Sequence, residues 1–219
     1  MQSKTHVYFV PGMAANPSIF NNINLPEAEF NSHFLEWFVP ELGMDLTAYA
    51  IAMCKKVRHK DVVLIGVSFG GMLIQEMAKH IKVKKVIIIS SVKLKSELPK
   101  RMIFAKYTKV HKLLPTGLVN NVELLAKYAF GETATKRLKL YEQYLSVRDK
   151  RYIDWAIDCI VNWSPTSYPE NLVHIHGDSD PVFPISRINN CIPVKKGTHI
   201  MIINRFKWFN AHLSTIILE

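Results

Sequence analysis

Cysteine is scarce in this chain, with three residues in 219, Cys54, Cys159 and Cys191. An odd number at wide spacing supplies neither a disulfide framework nor a thiolate metal site, so buried inert thiols in a reducing compartment are expected. Long apolar runs are absent too. No stretch reaches the roughly 18 apolar residues of a membrane span, and the amino terminus lacks the apolar core and small-residue cleavage site of a signal peptide. A soluble, cytoplasmic protein is the expectation. Internal repeats and low-complexity tracts are missing, and no local cluster of His, Cys, Asp or Glu has ligand spacing, so no metal and no organic cofactor is implied.

What is present is apolar and basic. With 48% hydrophobic residues, a chain of this length can bury one substantial core, and a single domain is expected. The formal net charge is +10. Residues 93–151 alone hold 14 Lys and Arg against 5 Asp and Glu, so the basic excess is a local feature on a near-neutral remainder.

Short, nearly continuous runs rich in β-branched residues recur at 6–10, 35–39, 62–67, 86–89 and 172–175. Strands covered on both faces read this way. Helical patterns lie between and after them, at 45–57 with Leu46, Ala50, Met53 and Val57 on one face, then at 72–81 and 202–218. Alternation of this kind predicts a doubly wound, mainly parallel α/β sheet of about six strands. Residues 93–165 interrupt it. They read as three or four helices broken at Pro115-Thr116-Gly117 and Gly131, a helical insertion after the strand at 86–89. The core is then 1–92 with 166–219.

The sharpest local pattern is Gly66-Val67-Ser68-Phe69-Gly70-Gly71, placed where the strand at 62–67 must turn into a helix. Such a turn presents the Ser68 hydroxyl from the sheet on a strained backbone, which the small neighbours Gly66 and Gly70 make feasible. GxSxG by itself arises by chance in about one chain in fifteen of this length. The strand before it and the helix after it give the pattern its weight.

A serine hydroxyl is a weak nucleophile and needs a base within hydrogen-bond reach, and the base needs a partner that holds its tautomer. An acid and then a histidine should follow in the chain. The strand at 172–175 runs into His176-Gly177-Asp178-Ser179-Asp180-Pro181, and Gly197-Thr198-His199 precedes the last helix. Imidazole, with an ordinary pKa near 6.5, accepts a proton at neutral pH.

In these three places, GVSFGG, HGDSDPVFP and GTHIMI, the chain resembles the α/β-hydrolase superfamily. The likeness covers residues 5–92 and 166–219 and does not reach into the helical segment, where that superfamily commonly carries a cap over its active site. The resemblance implies Ser68 as nucleophile, His199 as base and Asp180 as the orienting acid. Asp180 is chosen over Asp178 because the superfamily's carboxylate stands four residues after the histidine corresponding to His176. Asp178 then forms a turn by bonding nearby backbone amides. A serine in the elbow sets the chain apart from the dehalogenases and epoxide hydrolases of this fold, which carry aspartate there.

An oxyanion requires two backbone donors, one normally from the residue after the nucleophile, here Phe69. The resemblance assigns the second to Met13, with Gly12 allowing close approach, although Pro11-Gly12 stands where histidine-glycine is common. Pro11-Gly12 as a plain turn after a strand remains the alternative.

In the cap, Lys106, Lys109, Lys112, Lys136, Arg137 and Lys139 form either a solvated helix face or a surface attracting an anionic substrate. The aromatics Phe104, Tyr107, Tyr128, Phe130, Tyr141, Tyr144, Tyr152 and Trp155 read as core. No nucleic-acid motif is present. Hydrolysis of a carboxylic ester of a small or medium acyl substrate is the leading expectation. Thioester hydrolysis, acyl transfer, carbon–carbon hydrolysis and lyase chemistry use the same groups, and a catalytically silent ligand-binding module on the same fold is the reading from another class. The oligomeric state is not legible.

Overall fold

The computed structural model describes residues 4–109 and 143–219. Strands run at Thr5–Val10 (β1), Phe30–Phe34 (β2), Val62–Val67 (β3), Val83–Ile89 (β4), Leu172–Gly177 (β5) and Ile192–Val194 (β6). They form one sheet in the order β2-β1-β3-β4-β5-β6, and every pairing is parallel. The central strands are the most apolar, as burial on both faces demands. All six residues of β3 are buried, and Ile87, Ile88 and Ile89 of β4 are fully so.

Helices follow at Leu46–Cys54 (α1), Phe69–Met77 (α2), Lys100–Thr108 (α3), Lys150–Asn162 (α4), Met201–Asn204 (α5) and Phe206–Leu218 (α6). Asp45 caps α1 by accepting from the Ala48 amide at 2.7 Å, and Asp149 caps α4 through the Tyr152 amide at 3.0 Å. Each satisfies a backbone donor that the first turn leaves free. The chain moves outward in one direction from β1 to β2 and in the other from β3 to β6. Right-handed crossovers therefore put α1, α2 and α4 on one face and the short turn Pro17–Phe20 on the other, where α5, after the last strand, packs against that turn. Asn210 of α6 ties down that second layer through Asn22 and Asn24.

The expected strand at 35–39 is displaced. β2 is Phe30–Phe34, in register with Thr5 to Phe9 of β1, and its burial alternates because it is an edge strand. Its sequence, Phe-Asn-Ser-His-Phe, carries too little apolar character to stand out by composition. Leu35 and Trp37 instead leave the strand end to fill the core. The short β6, containing Pro193 and only partly buried, gave no run to detect. The helix expected at 72–81 begins three residues earlier, at Phe69, and the expected terminal helix is divided between α5 and α6.

Between β4 and β5 the described part of the insertion is helical, with α3 leaving the sheet and α4 returning to it. Lys112, Tyr128, Phe130, Lys136, Arg137, Lys139, Tyr141 and the breaks at Pro115-Thr116-Gly117 and Gly131 lie outside the described residues. Tyr144 and Tyr152 are buried in the core and Trp155 packs against it, whereas Phe104 and Tyr107 are exposed. The residues before α4 are tied to the loop after β1: the Asn16 amide donates to Tyr144 O at 2.9 Å and the Val147 amide to Ala14 O at 3.1 Å. No helix among the described residues is long and apolar enough to cross a membrane.

Candidate active site

The carboxyl ends of β3, β4 and β5 and the loop after β1 converge on Ser68, the place where a sheet wound in both directions opens a crevice. Ser68 sits between β3 and α2 with φ 53° and ψ −118°, a conformation that costs an L-residue of order 1–3 kcal/mol. The strain is held from both sides. Its amide donates to Ile89 O at 2.9 Å, and its carbonyl accepts from Ser91 Oγ at 2.7 Å. Gly66 and Gly70 are needed for close approach: a Cβ on Gly66 would meet Gly70 O at 2.4 Å, and one on Gly70 would meet Pro11 O at 2.4 Å.

Ser68 Oγ lies 2.9 Å from His199 Nε2. His199 Nδ1 lies 2.9 Å from Asp180 Oδ2. A hydroxyl donating to Nε2 leaves the imidazole proton on Nδ1, facing the carboxylate. Both His199 and Asp180 are buried, and the ring of Phe183 meets the His199 ring on edge at 5.5 Å. The other carboxylate oxygen of Asp180 accepts from the amides of Val182 at 2.7 Å and Phe183 at 3.0 Å. Burial alone pushes the Asp180 carboxyl up. The His199 imidazole, the Phe183 amide and the His176 ring outweigh it, so the carboxyl titrates below its ordinary value.

Asp178, two residues earlier, is exposed, and its carboxylate accepts from Ser179 Oγ at 2.8 Å rather than facing His199. The acid loop and the histidine loop touch backbone to backbone, since a Cβ on Gly177 would lie 2.3 Å from Gly197 O.

A second layer stands behind the acid. His176 Nε2 is 2.8 Å from Phe183 O, an acceptor only, so it carries the proton there and Nδ1 is the acceptor. His174 Nε2, at 3.0 Å, therefore donates to His176 Nδ1. Burial foremost, then the nearby His176 and Lys93, drives His174 down to about 2, and burial likewise lowers His176. Both rings are neutral at neutral pH. Farther back, Lys93 and Glu97 form a buried ion pair at 3.4 Å, with Glu97 accepting from the Lys93 amide at 2.8 Å and the Asn189 amide at 3.2 Å. The pair fastens the start of the insertion to the connection between β5 and β6.

Across the crevice, Gly12 comes within 3.6 Å of Ser68 Cβ, measured from the position its own Cβ would take. Its carbonyl is pinned by Trp37, whose indole Nε1 donates to it at 2.9 Å. The C=O of Gly12 and the N–H of Met13 belong to one trans peptide and point in opposite directions, so Trp37 turns the Met13 amide away from itself. The Phe69 amide, in the first turn of α2, has no acceptor within the helix. Trp37 also stacks on Phe69 at 5.1 Å, so one side chain braces both peptides.

A cavity of about 110 Å³ opens at Ser68, His199, Gly12 and Met13. Ile19, Met102, Leu145, Ile157, Ile160 and Ile203 give it apolar walls. Among the described residues lining it, none is Asp, Glu, Lys or Arg. Lys106 of the cap faces elsewhere, with its Nζ donating to Ser164 Oγ at 2.8 Å.

No family model matches the chain, and no curated protein matches it in sequence. Solved structures match it over its whole length. It is similar to a bromoperoxidase from Bacillus anthracis at 17% identity, with 99% of this chain and 93% of that one covered and a TM-score of 0.68. It is similar to an esterase from Exiguobacterium antarcticum at 17% identity, with 100% and 94% covered and a TM-score of 0.65. An enol-lactonase from Burkholderia xenovorans LB400 matches at 12% identity, with 99% and 92% covered and a TM-score of 0.68. The chain has the α/β-hydrolase fold.

Proposed function

We propose that the chain is a serine hydrolase that cleaves a carboxylic ester of a small or medium acyl group through an acyl-enzyme. The observation that carries this reading is the hydrogen-bonded series from Ser68 Oγ to His199 Nε2 and from His199 Nδ1 to Asp180, each link 2.9 Å, set on a strained turn at the mouth of an apolar cavity.

Ser68 Oγ attacks the carbonyl carbon as its proton passes to His199 Nε2. Asp180 holds the Nδ1 proton and stabilises the imidazolium. The amides of Phe69 and Met13 hold the oxyanion. When the tetrahedral adduct collapses, the C–O bond to the leaving group breaks and the alkoxide takes the proton from Nε2. Water then loses a proton to His199 and attacks the acyl-Ser68 carbonyl. The acid departs as Ser68 Oγ recovers its proton.

The acyl portion occupies the apolar cavity, so an anionic group on the substrate belongs to its leaving half. The reading is tested by hydrolysis of a short p-nitrophenyl acyl ester by the protein and by Ser68→Ala. Turnover that falls at least about 10³-fold in the variant is expected. Turnover within tenfold of the parent would place the nucleophile elsewhere.

A further inference from the structure

Three histidines far apart in sequence meet at the end of the sheet opposite Ser68. His6 lies near the start of β1, His33 in β2, and His59 in the loop that enters β3. β2, β1 and β3 are adjacent. His6 Nδ1 is 2.9 Å from His33 Nε2, the His6 and His59 rings stack at 3.5 Å, and one nitrogen from each ring lies within 4.8 Å of the other two.

We propose that His6, His33 and His59 form a site for one divalent transition-metal ion of the zinc class, held across three neighbouring strands at the end of the sheet remote from Ser68. Imidazole is the ligand type that suits Zn²⁺, Cu²⁺, Ni²⁺ and Co²⁺. The cluster contains no carboxylate, which excludes Mg²⁺ and Ca²⁺, ions that require oxygen ligands. His6 Nδ1 and His33 Nε2 face each other at 2.9 Å, so at least one of the two nitrogens is unprotonated and has a lone pair to give. Tyr8 supplies an outer partner. Its hydroxyl lies 2.7 Å from His59 Nδ1 and accepts from the Arg58 amide at 3.1 Å, the kind of contact that orients a metal-bound imidazole.

A tetrahedral zinc with bonds of 2.0–2.1 Å places its ligand nitrogens about 3.3 Å apart. The rings must tilt towards one another, which opens the His6–His59 stack, and exposed His59, on a loop, has room to turn. Three protein ligands leave a fourth position for water. His33, the ligand farthest along its strand, pairs with Tyr8 and so lies level with Leu64, four residues or about 13 Å before Ser68 along the strands and two strands to the side. Its role is therefore to clamp the edge strand β2 and the entry loop of β3 rather than to take part at Ser68.

The test is titration of the chelator-treated full chain with zinc sulfate against a chromophoric competitor, alongside His59→Ala and His33→Gln, each first shown to be folded by circular dichroism. One equivalent is expected to bind, with affinity falling about 10–100-fold in each variant. Cobalt in place of zinc should give d–d absorption without a thiolate charge-transfer band. Absence of saturable binding at one equivalent, undiminished affinity in His59→Ala, or a thiolate band would each overturn the proposal.

Discussion

Trp37→Phe separates the oxyanion reading from a merely structural account of the loop after β1. The indole Nε1 holds the Gly12 carbonyl at 2.9 Å, beside the Ala15 amide, which donates to the same oxygen at 3.1 Å, and the two bonds together fix the rotation of the peptide that aims the Met13 amide. Phenylalanine keeps a ring against Phe69 but has no donor. Deleting an oxyanion donor outright costs about 10²–10³ in kcat. Trp37→Phe leaves the donor present but less firmly aimed, since only the Ala15 amide still holds the carbonyl, so a loss of about tenfold is expected, or roughly 1.4 kcal/mol of transition-state stabilisation. Ground-state binding does not use that amide strongly, so KM should stay within about twofold. The substitution also takes one of two donors from a buried carbonyl and trims a buried ring, which costs about 1–2 kcal/mol of stability and lowers Tm by about 2–8 °C for a domain of this size. Tyr49→Phe serves as the matched control. It removes the hydroxyl that bonds both Phe38 N and Phe38 O, destabilises the same aromatic cluster and does not touch Gly12. Steady-state kinetics well below both melting points should show the kcat loss in Trp37→Phe only. Unchanged kcat in Trp37→Phe, or an equal loss in Tyr49→Phe, would refute the argument.

Acid should unfold the protein through the histidines behind the acid loop. A histidine whose folded pKa is lowered stays neutral while the unfolded chain takes up its proton. Stability is then complete above the unfolded value near 6.5 and is lost as pH falls below it, by up to about 1.4 kcal/mol per pH unit for each such ring. His174→Gln retains a donor towards His176 and removes one titration, so Tm plotted against pH between 6.5 and 4.5 should fall less steeply than for the parent; an identical slope would show that His174 titrates normally. Neutral and carboxylate-bearing esters of equal acyl length, compared over a range of salt, probe the basic cap. Anionic leaving groups are expected to gain in kcat/KM at low salt and to lose that gain as screening rises, whereas equal, salt-independent constants would remove any role for the cap's charge.

The sheet was legible because its central strands are buried on both faces, and burial of that kind writes itself as unbroken apolar runs such as Val62–Val67. The edge strands were not. β2 is held by its ladder to β1, and of its five side chains only Phe30 is buried, while the apolar residues at 35–39 belong to the chain beyond it. At the site, Ser68, Asp180 and His199 stood out because an elbow, an acid loop and a histidine loop each carry local glycine and aspartate signals.

Trp37 carried no such signal, since a tryptophan among apolar residues reads as core, which it also is. Histidine-glycine is common where this chain has Pro11-Gly12, and nothing local indicates that the indole from β2's far end braces that loop. His174 and His176 alternate along β5, and nothing local in an apolar run marks two such residues as a hydrogen-bonded pair. His6, His33 and His59 have no ligand spacing along the sequence, because it is parallel pairing that brings together residues 27 apart.

The most direct measurement is reaction of the folded protein with a fluorophosphonate, read by intact mass and located by peptide mapping. The account predicts one adduct per chain, on Ser68, absent in Ser68→Ala and formed far more slowly in His199→Ala. A folded protein that takes up no label, or one labelled on another residue, would contradict it.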